Sequence, residues 1–170
     1  MIERLFHVSE TPGLTRFEPR ADARGRNLVW AIGESRLHNY LLPRDCPRVT
    51  YHATATTTAA DRAEFFSATS AESVVAIEKR WLPALQATPL HVYEFAPAPF
   101  VLEDAIAAYY VCAHAVAPMS HRVVASPLLE LLQRPVELRL VSSLFALRDR
   151  VVASSLGFSI IRLRNAQNAE

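Results

Sequence analysis

Apolar and polar residues alternate with period two at several places along the chain. Each such stretch predicts a strand, because successive side chains of a strand point to opposite faces. In Leu5-Phe6-His7-Val8-Ser9, Phe6 and Val8 fall on one face and Leu5, His7 and Ser9 on the other. Residues 48–53 place Val49 and Tyr51 opposite Thr50 and His52, and residues 90–95 place His91, Tyr93 and Phe95 together between Pro89 and Pro97. Residues 136–140 alternate most cleanly, with Glu137 and Arg139 expected outward. Leu28-Val29-Trp30-Ala31-Ile32 contains no polar residue, the pattern of a strand covered on both faces. Residues 109–112 and 115–117 add strand pieces, and residues 101–108 read as an irregular or short helical connection.

Helical spacing is found elsewhere. Leu37, Tyr40 and Leu41 predict a short amphipathic helix over 34–41, stopped by Pro43. Thr58 can cap a helix over 59–66 with Asp61 in its first turn, and Ser126-Pro127 starts another ahead of Leu128-Leu129. Ser142-Ser143 precedes Leu144, Leu147 and Val151 at i, i+3 and i+7, a helix running through Val152. Residues 70–88 read as a short strand or turn followed by a helix around Trp81. The tail 158–164 is apolar enough to pack, and residues 165–170 are expected to fray. The sum is an α+β protein with twisted, mostly antiparallel split sheets and three or four peripheral helices, in a single domain over 1–170.

Composition narrows the class. Half of the 170 residues are apolar and 21% are charged, unlike a disordered or membrane-embedded chain. No apolar run reaches the roughly 20 residues of a membrane span, and Glu3 and Arg4 precede a run too short for a signal-peptide core. A cytoplasmic protein with no membrane partner is expected. A net charge of +1 gives no basis for general nucleic-acid binding. Cys46 and Cys112 are too few and too far apart for a disulfide framework or a zinc site, and reduced thiols are expected.

Four glycines leave no phosphate-cradling loop, no histidine pair has helical metal-ligand spacing, and no serine sits in a nucleophile elbow. No metal is expected, and no catalytic residue can be named. What remains is polar residues where strands end: His7, Ser9 and Glu10 after the first strand, Arg20 in the loop that follows, Tyr40, and Arg44 and Arg48 around the Pro43-Arg44-Asp45-Cys46-Pro47 loop. Of the 18 basic residues, 17 are arginine, whose planar fork suits phosphate oxygens. His7, Ser9, Arg20, Tyr40, Arg44 and Arg48 are therefore the candidate binding residues, with His7, Arg44 and Arg48 meeting on a small phosphate-bearing ligand. The bland alternative makes the arginines solvated ion pairs and His7 a half-buried structural histidine.

The order Leu5-Phe6-His7-Val8-Ser9-Glu10, Phe17-Glu18-Pro19-Arg20, Val29-Trp30-Ala31-Ile32, Pro43-Arg44-Asp45-Cys46-Pro47-Arg48-Val49 and Phe158-Ser159-Ile160-Ile161-Arg162 resembles a bacterial family of uncharacterised proteins, a domain of unknown function, over nearly the whole chain. The layout also resembles ADP-ribosyltransferase-like proteins, with a histidine in the first strand and a run such as Val29-Trp30-Ala31-Ile32 before a short helix with Tyr40. That resemblance implies NAD as substrate and His7 as the residue contacting a ribose. The sequence departs from it at the later acidic residue, since Glu94 shares its face with Leu90 and Val92. Two functions follow as expectations: an ADP-ribosyltransferase-like enzyme or nucleotide and phosphate-ligand binder, or a non-catalytic small-molecule-binding or protein-interaction module.

Overall fold

The alternating stretches become strands in the computed structural model, which describes residues 3–167. The chain divides into two compact units: Met1–Leu41 with Pro89–Ala125, and Leu42–Thr88 with Ser126–Glu170. The fold class is α+β, with one sheet in each unit.

The first unit holds β1 (Leu5–Ser9), β2 (Arg20–Ala21), β3 (Asn27–Gly33), β6 (Leu90–Phe95), β7 (Val101–Asp104), β8 (Tyr109–Cys112) and β9 (Ser120–Val124). They form one sheet in the order β7-β8-β3-β1-β6-β9, with β2 against β3, and every pairing is antiparallel. β3 is interior, as its unbroken apolar run requires: Val29, Ala31 and Ile32 are buried and Leu28 and Trp30 half-buried. A 3₁₀ segment follows at Glu34–Tyr40, where a short helix is expected. The core on one face gathers Leu5, Val29, Ala31, Tyr93, Phe95 and Cys112 under Phe17. Phe17 is delivered by the loop after β1 and pinned by two backbone hydrogen bonds with Val116, of 2.8 and 3.1 Å. Residues 115–117 thus supply one bridge rather than a strand.

β7 corrects the irregular connection expected over 101–108. Glu103 and Asp104 mask a strand there because β7 is an outer strand, exposed along its whole length. The turn after it is built by the Asp104 carboxylate, which accepts from the Ile106 and Ala107 amides at 2.8 and 3.0 Å.

The second unit holds β4 (Arg48–His52), α1 (Ala59–Phe66), β5 (Ser73–Glu78), α2 (Leu82–Ala87), α3 (Pro127–Leu132), β10 (Glu137–Val141), α4 (Phe145–Val152) and β11 (Gly157–Ile161). Its sheet runs β10-β5-β4-β11, parallel only between β10 and β5. α1 and α4 cover one face, where Val49, Tyr51, Phe65, Val74, Leu144, Leu147 and Val151 form the core. Thr58 caps α1, its hydroxyl accepting from the Asp61 amide at 3.2 Å, and Ser126 caps α3. Pro83 is accommodated in the first turn of α2, where it displaces no hydrogen bond.

Two expectations in this unit are corrected. Glu137 and Arg139 do not face outward: Arg139 donates to the Tyr51 hydroxyl at 2.7 Å and to Glu137 at 2.7 Å, while Leu140 on the other face is exposed. Alternation gives the period but not which face packs, and an arginine stem with a satisfied head packs as well as a leucine. The chain is also held through Gln167 instead of fraying from 165. The Asn165 amide group donates to the Asp45 carbonyl at 2.7 Å, and the Gln167 backbone N–H to Glu78 at 2.8 Å. Residues 168–170 lie outside the described residues. No helix among the described residues is long and apolar enough to cross a membrane.

Candidate functional site

The face of the first unit's sheet that carries His7 also carries ring side chains from the neighbouring strands. Antiparallel pairing sets His7 opposite Tyr93 and Tyr93 opposite His121, so three ring side chains cross β1, β6 and β9 in one row. Ser9 stands opposite His91 in the next row. Residues 10–17 then fold over this face. Pro12-Gly13 makes the reversal, Gly13 sitting at φ +67°, a conformation other residues adopt only with strain.

Tyr93 is the post that holds this loop. It is fully buried, its hydroxyl donating to the Thr11 carbonyl at 2.8 Å and accepting from the Leu14 amide at 3.1 Å. Ser9 adds a third tie, its hydroxyl accepting from the Thr11 amide at 3.0 Å. Phe17 meets the rings of His7, Tyr93 and Phe95 at 4.9, 5.3 and 4.9 Å. His7 is half-buried below it, with Nδ1 3.2 Å from the Trp30 carbonyl. A carbonyl only accepts, so this bond places a proton on Nδ1.

Beside the loop lies an open depression of about 340 Å³, lined by Gly13, Leu14, Thr15, Tyr93, Pro118, Met119, Ser120 and His121. Its wall includes one ring of a histidine dyad: His121 Nε2 lies 2.9 Å from Nδ1 of His91, which is not itself a lining residue, and His121 stacks on Tyr93 at 4.7 Å and 20°. The dyad rings are only 15° from coplanar and their centroids are 5.1 Å apart. That separation is nearly the greatest that a 2.9 Å nitrogen contact permits, so the two nitrogens point at each other along the line of centres. The arrangement is an in-line N–H···N hydrogen bond with one proton between the rings. A metal ion shared by both would need the lone pairs to converge at an angle, away from that line.

The remaining candidates sit elsewhere. Arg20 is exposed on β2, paired with Leu28. Tyr40 belongs to an aromatic cluster in which its hydroxyl is 2.6 Å from that of Tyr109, itself edge-on to Trp30. Arg44 and Arg48 belong to the second unit. Arg48 is 2% exposed and donates to the carbonyls of Cys46 and Pro43 at 2.8 and 3.4 Å, so it holds its own double-proline loop. Of the six, the structure brings His7 and Ser9 together on one face. Sequence reasoning missed His121: it lies in Ser120-His121-Arg122-Val123-Val124, whose exposed residues conceal the period-two pattern. The available signal was His91 and Tyr93 sharing a face.

Glu94, the strand carboxylate that the transferase resemblance brings into question, alternates to the opposite face. It takes Arg4 at 2.8 and 3.0 Å and the Ser120 hydroxyl at 3.0 Å, and the Arg4 guanidinium holds its carboxyl below the usual carboxylate range.

These features describe a small α+β protein of two sheets, with an open depression beside the antiparallel one. Its family can be stated: the model of a family of unknown function, DUF6886, matches residues 6–166, and the chain belongs to that family. No curated protein and no solved structure matches the chain.

Proposed function

We propose that the first unit binds a small phosphate-bearing ligand in the depression beside residues 13–15. The observation that supports this reading is that His121, which lines the depression, is hydrogen-bonded to a second histidine, His91. A histidine pair can turn an N–H or an imidazolium toward an anion. The eight lining residues include no carboxylate to oppose one, and the volume suits a small molecule. NAD and ADP-ribose are the candidates that the transferase resemblance raises. Binding is better supported than transfer, because Glu94 faces away from His7 and is held by Arg4. A separate observation favours an interaction role: β9 is an outer strand with Val123 exposed and Met119 exposed just ahead of it, an edge to which an extended segment of another protein can add.

The test is a thermal-shift titration with inorganic phosphate, adenosine monophosphate, ADP-ribose and NAD. At a hundredfold excess over its dissociation constant a ligand of the folded state adds about 2.7 kcal/mol. The wild type is expected to rise with at least one of them and His121→Ala with none. No rise in the wild type with any of the four refutes the reading.

A further inference from the structure

We infer that the depression takes its anionic ligand together with one proton, and that His91 is the positioning residue that makes this so. The inference rests on the reading just given. An in-line pair of imidazoles has four ring nitrogens, and the two inner ones share a single proton. With two protons in all, the pair is neutral. If His121 Nε2 holds the inner one, its outer nitrogen Nδ1 is a bare acceptor, which repels an anion. If His91 Nδ1 holds it, His121 Nδ1–H is a donor, still without charge. A third proton fills both outer nitrogens and keeps the inner bond. The dyad then carries one positive charge and offers an N–H on His121, whichever ring holds the inner proton. A fourth would set two N–H groups head to head at 2.9 Å, so uptake stops at one.

His91 contributes by accepting the inner proton from a protonated His121, which lets the charge spread over two rings away from the ligand. The titratable neighbours on this face are His7 and Tyr93. The Tyr93 hydroxyl is already engaged, donating to the Thr11 carbonyl and accepting from the Leu14 amide. Ser9 on β1 and Thr15 in the loop are uncharged, and Glu10 opens that loop. Arg122 and Glu94 alternate to the opposite face. A dianionic phosphate monoester is therefore the ligand class that the dyad favours, since it gains most from the added charge.

The experiment is calorimetric titration of adenosine monophosphate and of inorganic phosphate into the whole chain, above about pH 7 where the monoester is a dianion. Buffers of different ionisation heat give the number of protons taken up. The wild type is expected to bind with uptake approaching one proton and to lose up to tenfold in affinity per pH unit as pH rises. His91→Phe keeps a ring on the strand, and is expected to bind more weakly, with reduced uptake and a pH profile displaced to lower pH. Binding by the wild type without proton uptake, or with the same uptake in His91→Phe, overturns the inference and leaves the binding reading standing. Absence of binding by both probes overturns the inference, and the binding reading falls with it only if ADP-ribose and NAD also fail to bind.

Discussion

Replacing Tyr93 by phenylalanine removes one oxygen from a ring that is otherwise core, so the ring contacts with Phe17 and His121 survive and only the loop's post is lost. The hydroxyl makes two hydrogen bonds of good length, 2.8 Å to the Thr11 carbonyl and 3.1 Å from the Leu14 amide. Each is worth about 1 kcal/mol net, and an acceptor or donor stranded in a buried place costs more. Thr11 is exposed and its carbonyl can turn to water; Leu14 is half-buried and its amide has less access. The expected loss is about 1–2 kcal/mol. In a chain of this size that lowers the melting temperature by about 3–6 °C. The local sign is sharper: hydrogen exchange at the Leu14 amide should quicken about tenfold for each 1.4 kcal/mol of lost protection, while the β1 and β6 amides change little. Because residues 13–15 rim the depression, affinity for the ligand should fall as well. A variant with the wild-type melting temperature and unchanged exchange at Leu14 would refute the assignment of Tyr93 as the loop's anchor.

Two further predictions concern titrating groups. Burial pushes the Cys46 thiol up to about 12, against an ordinary value near 9, so it should resist alkylation at pH 8 in the folded protein and react once unfolded. Since the unfolded thiol ionises first, its contribution to stability is fully present below about pH 9 and is lost as pH rises toward 12; Cys46→Ala should flatten that part of the stability profile. Glu94 behaves in the opposite sense. With its carboxyl lowered by Arg4, its contribution is present above the ordinary carboxylate range and is lost as pH falls through the folded value. A carbon-detected titration should show Glu94 moving up toward that range in Arg4→Ala, and an unmoved Glu94 would show that the pair has no electrostatic weight in solution.

Periodicity located β1, β4 and β6, and an unbroken apolar run located β3, because each has at least one face that must be apolar; β10 alternates as cleanly although the face that packs is the one with Glu137 and Arg139. β7 and β9 escaped a similar reading because outer strands exposed to water need no such face. The same physics explains the site. His7 and Ser9 were legible, since their face is fixed by the alternation of Leu5-Phe6-His7-Val8-Ser9. His121 was not, since it reaches His91 only through the pairing of two strands that begin 30 residues apart. For Arg48 the prolines do fix the position, and the structure shows its guanidinium donating to the carbonyls of its own loop.

The way the chain weaves between its two units bears on how it is made. β1 leaves the ribosome some eighty residues ahead of its partner β6, and β4 waits 109 positions for the segment that lies beside it. Neither sheet can be completed from one continuous stretch, and the second closes only when β11 is released. During synthesis the Val49 and Val74 faces must therefore remain without their last strand until β11 is made. Partial chains ending before about residue 161 should be the species that chaperones hold and proteases remove, because they lack all or part of β11.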